Sequence, residues 1–110
     1  MKLPNHERAI VDIIKLRDYC LSPHHSRGRH KARVFASSLG LAQKDAEFLR
    51  SALLEAASNR EAIPTDQDEY GQRFLMDFPM SGSKGEVIVR SSWIVLKGEN
   101  YPRLTSCYVL

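Results

Sequence analysis

The stretch His24-His25-Ser26-Arg27-Gly28-Arg29-His30-Lys31-Ala32-Arg33 holds the densest set of groups able to do chemistry. Arg27, Arg29, Lys31 and Arg33 supply four cations, and no acid falls between Asp18 and Asp45. Such a cluster is either a solvated face or an anion site, because clustered Lys and Arg attract polyanions at long range. Histidine is the side chain best suited to exchange protons near neutral pH, so His25 and His30 are the candidates to move them. Cleaving RNA without a metal needs that chemistry. A base takes the 2′-hydroxyl proton, an acid protonates the leaving oxygen, and cations stabilise the phosphorane charge. Lys31 and Arg33 open a helix, where the backbone dipole disfavours cations. A bound anion would remove the conflict, since helix N-termini hold phosphate through free N–H groups.

The second half of the chain adds polar groups that a half-buried sheet does not need. Arg90 sits among Val and Ile in a strand pattern. It is either a solvent-facing arginine or a guanidinium held over a cleft, suited to a phosphate's acceptors. Ser106 is a packing compromise or a donor to a bound anion, and Tyr108 follows it on the same face. Trp93 is a core residue or an aromatic that stacks on a base. Arg103 adds a cation at the start of the last strand. No P-loop, G-x-S-x-G, H-E-x-x-H or paired metal carboxylates are present, so no metal and no cofactor are expected.

These groups need elements to position them. Ala9-Ile10-Val11 reads as a short extended segment. Asp12 is a good N-cap for a helix carrying Ile13, Leu16, Cys20 and Leu21, which ends at Ser22-Pro23. A second helix is predicted from about His30 to Ser38, stopped by Gly40. A third covers residues 43–58, with Ala46, Leu49, Leu53 and Ala57 on one stripe. Residues 60–69 read as a loop. Alternation then marks a strand through Phe74, Met76 and Phe78, a hairpin loop at 81–85, and a long strand from Glu86 to Leu96. A turn at 97–102 leads into a last strand, Arg103 to Leu110, with Leu104, Ser106, Tyr108 and Leu110 on one face. Helices first and strands second predict an α+β fold: two to three helices packed on an antiparallel sheet of three to four strands.

Composition sets the outer limits. At 110 residues, 43% hydrophobic and 26% charged, the chain is expected to form a single domain, 1–110, with its own core. No apolar run approaches a membrane span and the first residues carry no apolar signal core, so a leaderless cytoplasmic protein is expected. Cys20 and Cys107 are expected to be buried free thiols rather than a disulfide. The net charge of +3 is unevenly spread. Residues 1–35 hold eight basic and three acidic side chains, a balance of +5. Residues 36–70 hold three and seven, a balance of −4, and residues 71–110 five and three, a balance of +2.

Leu3-Pro4-Asn5, the run from His25 to Phe35, Val89-Arg90-Ser91-Ser92-Trp93-Ile94 and Arg103-Leu104-Thr105-Ser106-Cys107-Tyr108 together resemble a small bacterial domain family of unknown function. That family occurs as standalone proteins and at the C-termini of large polymorphic toxins. It looks like a distant member of the barnase, colicin D and RelE-like ribonuclease group, whose active sites are metal-independent and variable in residue identity. By this resemblance, a His-x-x-Gly-x-x-Lys-Ala pattern falls on His25, Gly28, Lys31 and Ala32. The family's strand Arg and Trp fall on Arg90 and Trp93, and its terminal hydroxyl, commonly Thr, on Ser106. His30 is less constant than Lys31 in that pattern. Ser26 stands where proline is usual and Ala42 where a Thr N-cap is usual, the latter costing about 1 kcal/mol.

The resulting expectation is a metal-independent endoribonuclease toxin. His25, His30, Lys31, Arg90 and Ser106 would be catalytic. Arg27, Arg29, Arg33, Trp93, Arg103 and Tyr108 would bind RNA. The partners would be RNA, tRNA or mRNA included, and a small cognate antitoxin or immunity protein, with no membrane. The alternative is a non-catalytic module that binds nucleic acid or a partner protein through the same cations.

Overall fold

Asp12 starts the first helix by side-chain capping: its carboxylate accepts from the Ile14 N–H at 2.9 Å. Helix α1 (Ile13–Lys15) continues as a π-helical segment, Leu16–Cys20, which buries Leu16 and Cys20 completely. Helix α2 (Arg29–Leu39) buries Ala32, Phe35 and Leu39. It stops at Gly40, whose φ of 73° suits a residue without a Cβ. A 3-10 turn, Gln43–Asp45, leads into α3 (Ala46–Asn59), which buries Leu49, Leu53 and Ala57. Ala42 cannot cap this start through its side chain. The Asp45 carboxylate does half of that work, accepting from the Ala42 N–H at 2.9 Å.

Four strands follow: β1 (Ile63–Gln67), β2 (Gly71–Gly82), β3 (Gly85–Leu96) and β4 (Arg103–Val109). They form one antiparallel sheet in the order β1-β2-β3-β4. The computed structural model describes all residues, 1–110, and the fold is the expected α+β arrangement, with helices before the sheet. No helix is long and apolar enough to cross a membrane.

Two expectations are corrected. The predicted loop at 60–69 contains β1. All five of its residues are exposed, so no in-out alternation marks it, and Pro64 is tolerated because the strand is an edge. The hairpin between β2 and β3 is also tighter than predicted, since pairing runs to Gly82↔Gly85.

A third correction bears on function. Ser92 opposes Ser106, yet Trp93 opposes Leu104, so Thr105 is an extra residue bulged out of β4. The bulge changes the alternation. Leu104 and Cys107 both enter the core, and Ser106 leaves the face that Leu104 occupies. Directly opposed residues share a face, so Ser106 lies with Ser92, and Tyr108 with Arg90 and Asp77, away from the core. The core face carries Phe74, Met76, Phe78, Val89, Trp93 and Cys107 against residues of the helical layer. Cys20 and Cys107 are buried free thiols, as expected.

Candidate functional site

Gly28 is the hinge on which the site is built. A Cβ there would lie 2.1 Å from the Tyr19 carbonyl oxygen, so only glycine lets the start of α2 press against the π-helical segment. His25 locks the loop before it. Its Nδ1 accepts from the backbone N–H groups of Arg27 and Gly28, each at 3.0 Å. Its ring also meets Tyr19 edge-on, with centroids 4.7 Å apart.

With the loop held this way, Lys31 in the first turns of α2 reaches β4. Its Nζ donates to Ser106 Oγ at 2.9 Å and to the Tyr19 hydroxyl at 3.4 Å. The ammonium lies 5.2 Å from the Tyr19 ring centre and 5.5 Å from that of Tyr108, within cation–π range. Lys31 is half-buried and belongs to none of the molecule's ion pairs. Two hydroxyls and two aromatic faces hold it in place of a carboxylate. Beside it, Lys15, Tyr19, His25, Arg27 and Thr105 line an open cavity of about 350 Å³. Lys15 Nζ donates to the Thr105 carbonyl at 3.3 Å, using a group on the bulged residue.

The two hydroxyls that receive Lys31 are each next in sequence to a fully buried cysteine. The hydrogen bond from Cys107 holds the Cys20 thiol below its ordinary value against its burial, helped by the Cys107 backbone and by the charges of Lys31 and Lys15. The same contact with Cys20, together with burial, pushes the Cys107 thiol up. This thiol pair joins the π-helical segment to β4 under the Lys31 cluster.

The expected site residues therefore divide. Lys31, Ser106, Tyr108, His25 and Arg27 gather around the β4 bulge. Arg90 faces Tyr108 across the sheet, but its guanidinium makes two 2.9 Å bonds to the Asp77 carboxylate. Asp77, with Tyr108 in support, raises the Arg90 pKa, and Arg90 in turn holds the Asp77 carboxyl below its usual range. Arg90 lines a separate cavity with Glu61, Ile63, Leu75 and Asp77, and a phosphate there must compete with Asp77.

The two backbone bonds fix the tautomer of His25. Because Nδ1 accepts two backbone bonds, the neutral ring carries its proton on Nε2. That nitrogen then has no lone pair with which to act as a base. In this geometry His25 offers an N–H donor.

Five further expected residues are not brought to this site. His30 is exposed on α2 and outside the contacts that hold Lys31. Arg29 and Arg33 line a separate groove with Lys44. Arg103 is bound at 2.8 and 2.9 Å to the two Glu99 oxygens and at 3.0 Å to the Tyr101 hydroxyl. Trp93 is fully buried and donates to Ser91 Oγ at 2.9 Å, so it stacks on no base.

Lys15, Tyr19 and Thr105 join the site without having been expected there. Lys15 and Tyr19 had a signal in the sequence, since polar residues four apart share a helix face. Thr105 had none, because a bulge is set by strand pairing. No three His, Cys, Asp or Glu side chains converge as metal ligands would.

No curated protein matches the chain. A family model described as a domain of unknown function, DUF6883, matches residues 2–110. That span takes in the His25–Lys31 loop, the Arg90 strand and the Ser106 bulge alike, and the chain belongs to this family.

Proposed function

We propose that the chain acts on RNA at the β4 edge, where Lys31 receives a phosphodiester, and that it cleaves the strand without a metal: the 2′-oxygen attacks phosphorus as its proton passes to water, and the Lys31 ammonium protonates the departing 5′-oxygen. One observation carries the reading: a half-buried ammonium, without a carboxylate partner, held between hydroxyls and aromatic rings beside a cation-lined cavity. An ammonium held this way is already positioned for an anion, and lodging a phosphate there costs little reorganisation. Ser106 and the Nε2–H of His25 donate to non-bridging oxygens. Arg27 and Lys15 hold neighbouring phosphates, and Tyr19 or Tyr108 offers a ring to a base. A protein of this kind is kept harmless by a small cognate inhibitor, an antitoxin or immunity protein, and that partner belongs to the same proposal.

The test is an incubation of total RNA with purified protein in excess chelator, beside Lys31→Ala. Discrete fragments from the parent and intact RNA with the variant are expected. Equal cleavage by both proteins would remove the catalytic assignment.

A second reading has its own support. The occupied Nδ1 of His25 leaves the cluster without a histidine base, which favours RNA binding without cleavage. Retention of RNA by the parent, weakened by salt and by Lys31→Ala with no fragments formed, would establish it.

A further inference from the structure

Arg29 and Arg33 are expected RNA ligands that the Lys31 site does not use. They stand four residues apart on α2, and with Lys44 they rim a groove of about 450 Å³ between α2 and the segment leading to α3. The floor is aliphatic, formed by Leu21, Pro23, Ala32, Ala36 and Leu41. No carboxylate and no aromatic ring lines it.

The arrangement is electrostatically unfavourable by itself. Like charges at this helical spacing repel, and Arg29 adds a cation to a helix N-terminus. None of the three cations has an ion-pair partner within the chain. Arg29 spends one donor on the Ser26 carbonyl, at 2.6 Å. The groove therefore complements an occupant that is both acidic and apolar.

We propose that this groove docks an acidic segment of a partner protein. The segment lays one large apolar side chain on the Leu21–Leu41 floor and sets carboxylates against Arg29, Arg33 and Lys44. An aliphatic floor suits a protein side chain better than a nucleobase, which favours aromatic stacking. The proposal does not depend on RNA cleavage or on Lys31.

The probe is a synthetic peptide, acetyl-Glu-Asp-Leu-Phe-Glu-Asp-amide, titrated into the isotope-labelled full chain and followed by backbone amide shifts. Saturable shifts are expected at Ala32, Ala36, Leu41 and Lys44, with affinity falling about tenfold or more between low and high salt. Arg33→Glu and Lys44→Glu change exposed side chains, so their melting temperatures should stay close to the parent's while peptide binding is lost. No saturable shift, or binding that both variants retain, would overturn the proposal. Larger shifts at Ala36 and Lys44 with a short RNA oligonucleotide than with the peptide would assign the groove to RNA and overturn it equally.

Discussion

His25 shows how one side chain can hold a loop in the conformation a site needs. The sequence draws attention to it as an imidazole among cations, and the structure employs it as a loop cap. Two backbone N–H groups that would otherwise lie without partners are satisfied by a single nitrogen. An asparagine can present an oxygen at a similar position. His25→Ala is therefore expected to cost about 1–2 kcal/mol by urea denaturation, with His25→Asn recovering most of the loss. If both variants fall equally, the ring's contact with Tyr19 matters more than the cap. The residue type and neighbourhood of Lys31 marked it from the outset, and its contacts to Tyr19 and Ser106 bring three separate segments together. Trp93 was legible as either core or stacking platform. Its burial decides for the core, because β3 alternates around it and its indole N–H is already used.

At the scale of elements, helix periodicity and capping residues made α2 readable to within about one residue and α3 to within about three, its expected start being a 3-10 turn. Strand alternation marked β3 to within about one residue and the middle of β2. What escaped was set by pairing between segments: the exposed edge strand β1 and the Thr105 bulge, neither of which leaves a local pattern. The bulge decides the site, because it lets Cys107 enter the core while Ser106 meets Lys31. Gly28 decides it from the other side. Gly28→Ala forces a methyl group into the Tyr19 carbonyl, so α2 must move off the π-helical segment. The variant is expected to lose about 2–4 kcal/mol of stability and to separate Lys31 from Tyr19. Thermal unfolding reads the first effect and RNA affinity the second. A fully stable variant would contradict the close approach on which the site depends.

Across the whole molecule, charge sorts by position. The basic N-terminal third supplies Lys15, Arg27 and Lys31 to one surface and Arg29 and Arg33 to another, while the acidic excess falls in residues 36–70. In the sheet and its turns the ion pairs are local. Arg73, Arg90 and Arg103 hold the carboxyls of Asp68, Asp77 and Glu99 below their usual values. A carboxyl whose pKa falls on folding stabilises the native state above its ordinary pKa. That contribution disappears as the pH drops through the lowered value. Stability is therefore expected to hold from neutrality to about pH 5 and to decline below pH 4, the loss being modest because the pairs are exposed. Urea denaturation across that range checks it, and a stability that rises on acidification would contradict the pairing.

The central claim is that Lys31 touches a phosphate. The salt dependence of RNA affinity tests it most directly, since each neutralised phosphate releases counterions and steepens the slope. Lys31→Ala should weaken binding about tenfold or more at low salt and reduce the slope of log K against log salt by about one. An unchanged slope and affinity would place the RNA elsewhere and leave Lys31 a structural cation between two tyrosines.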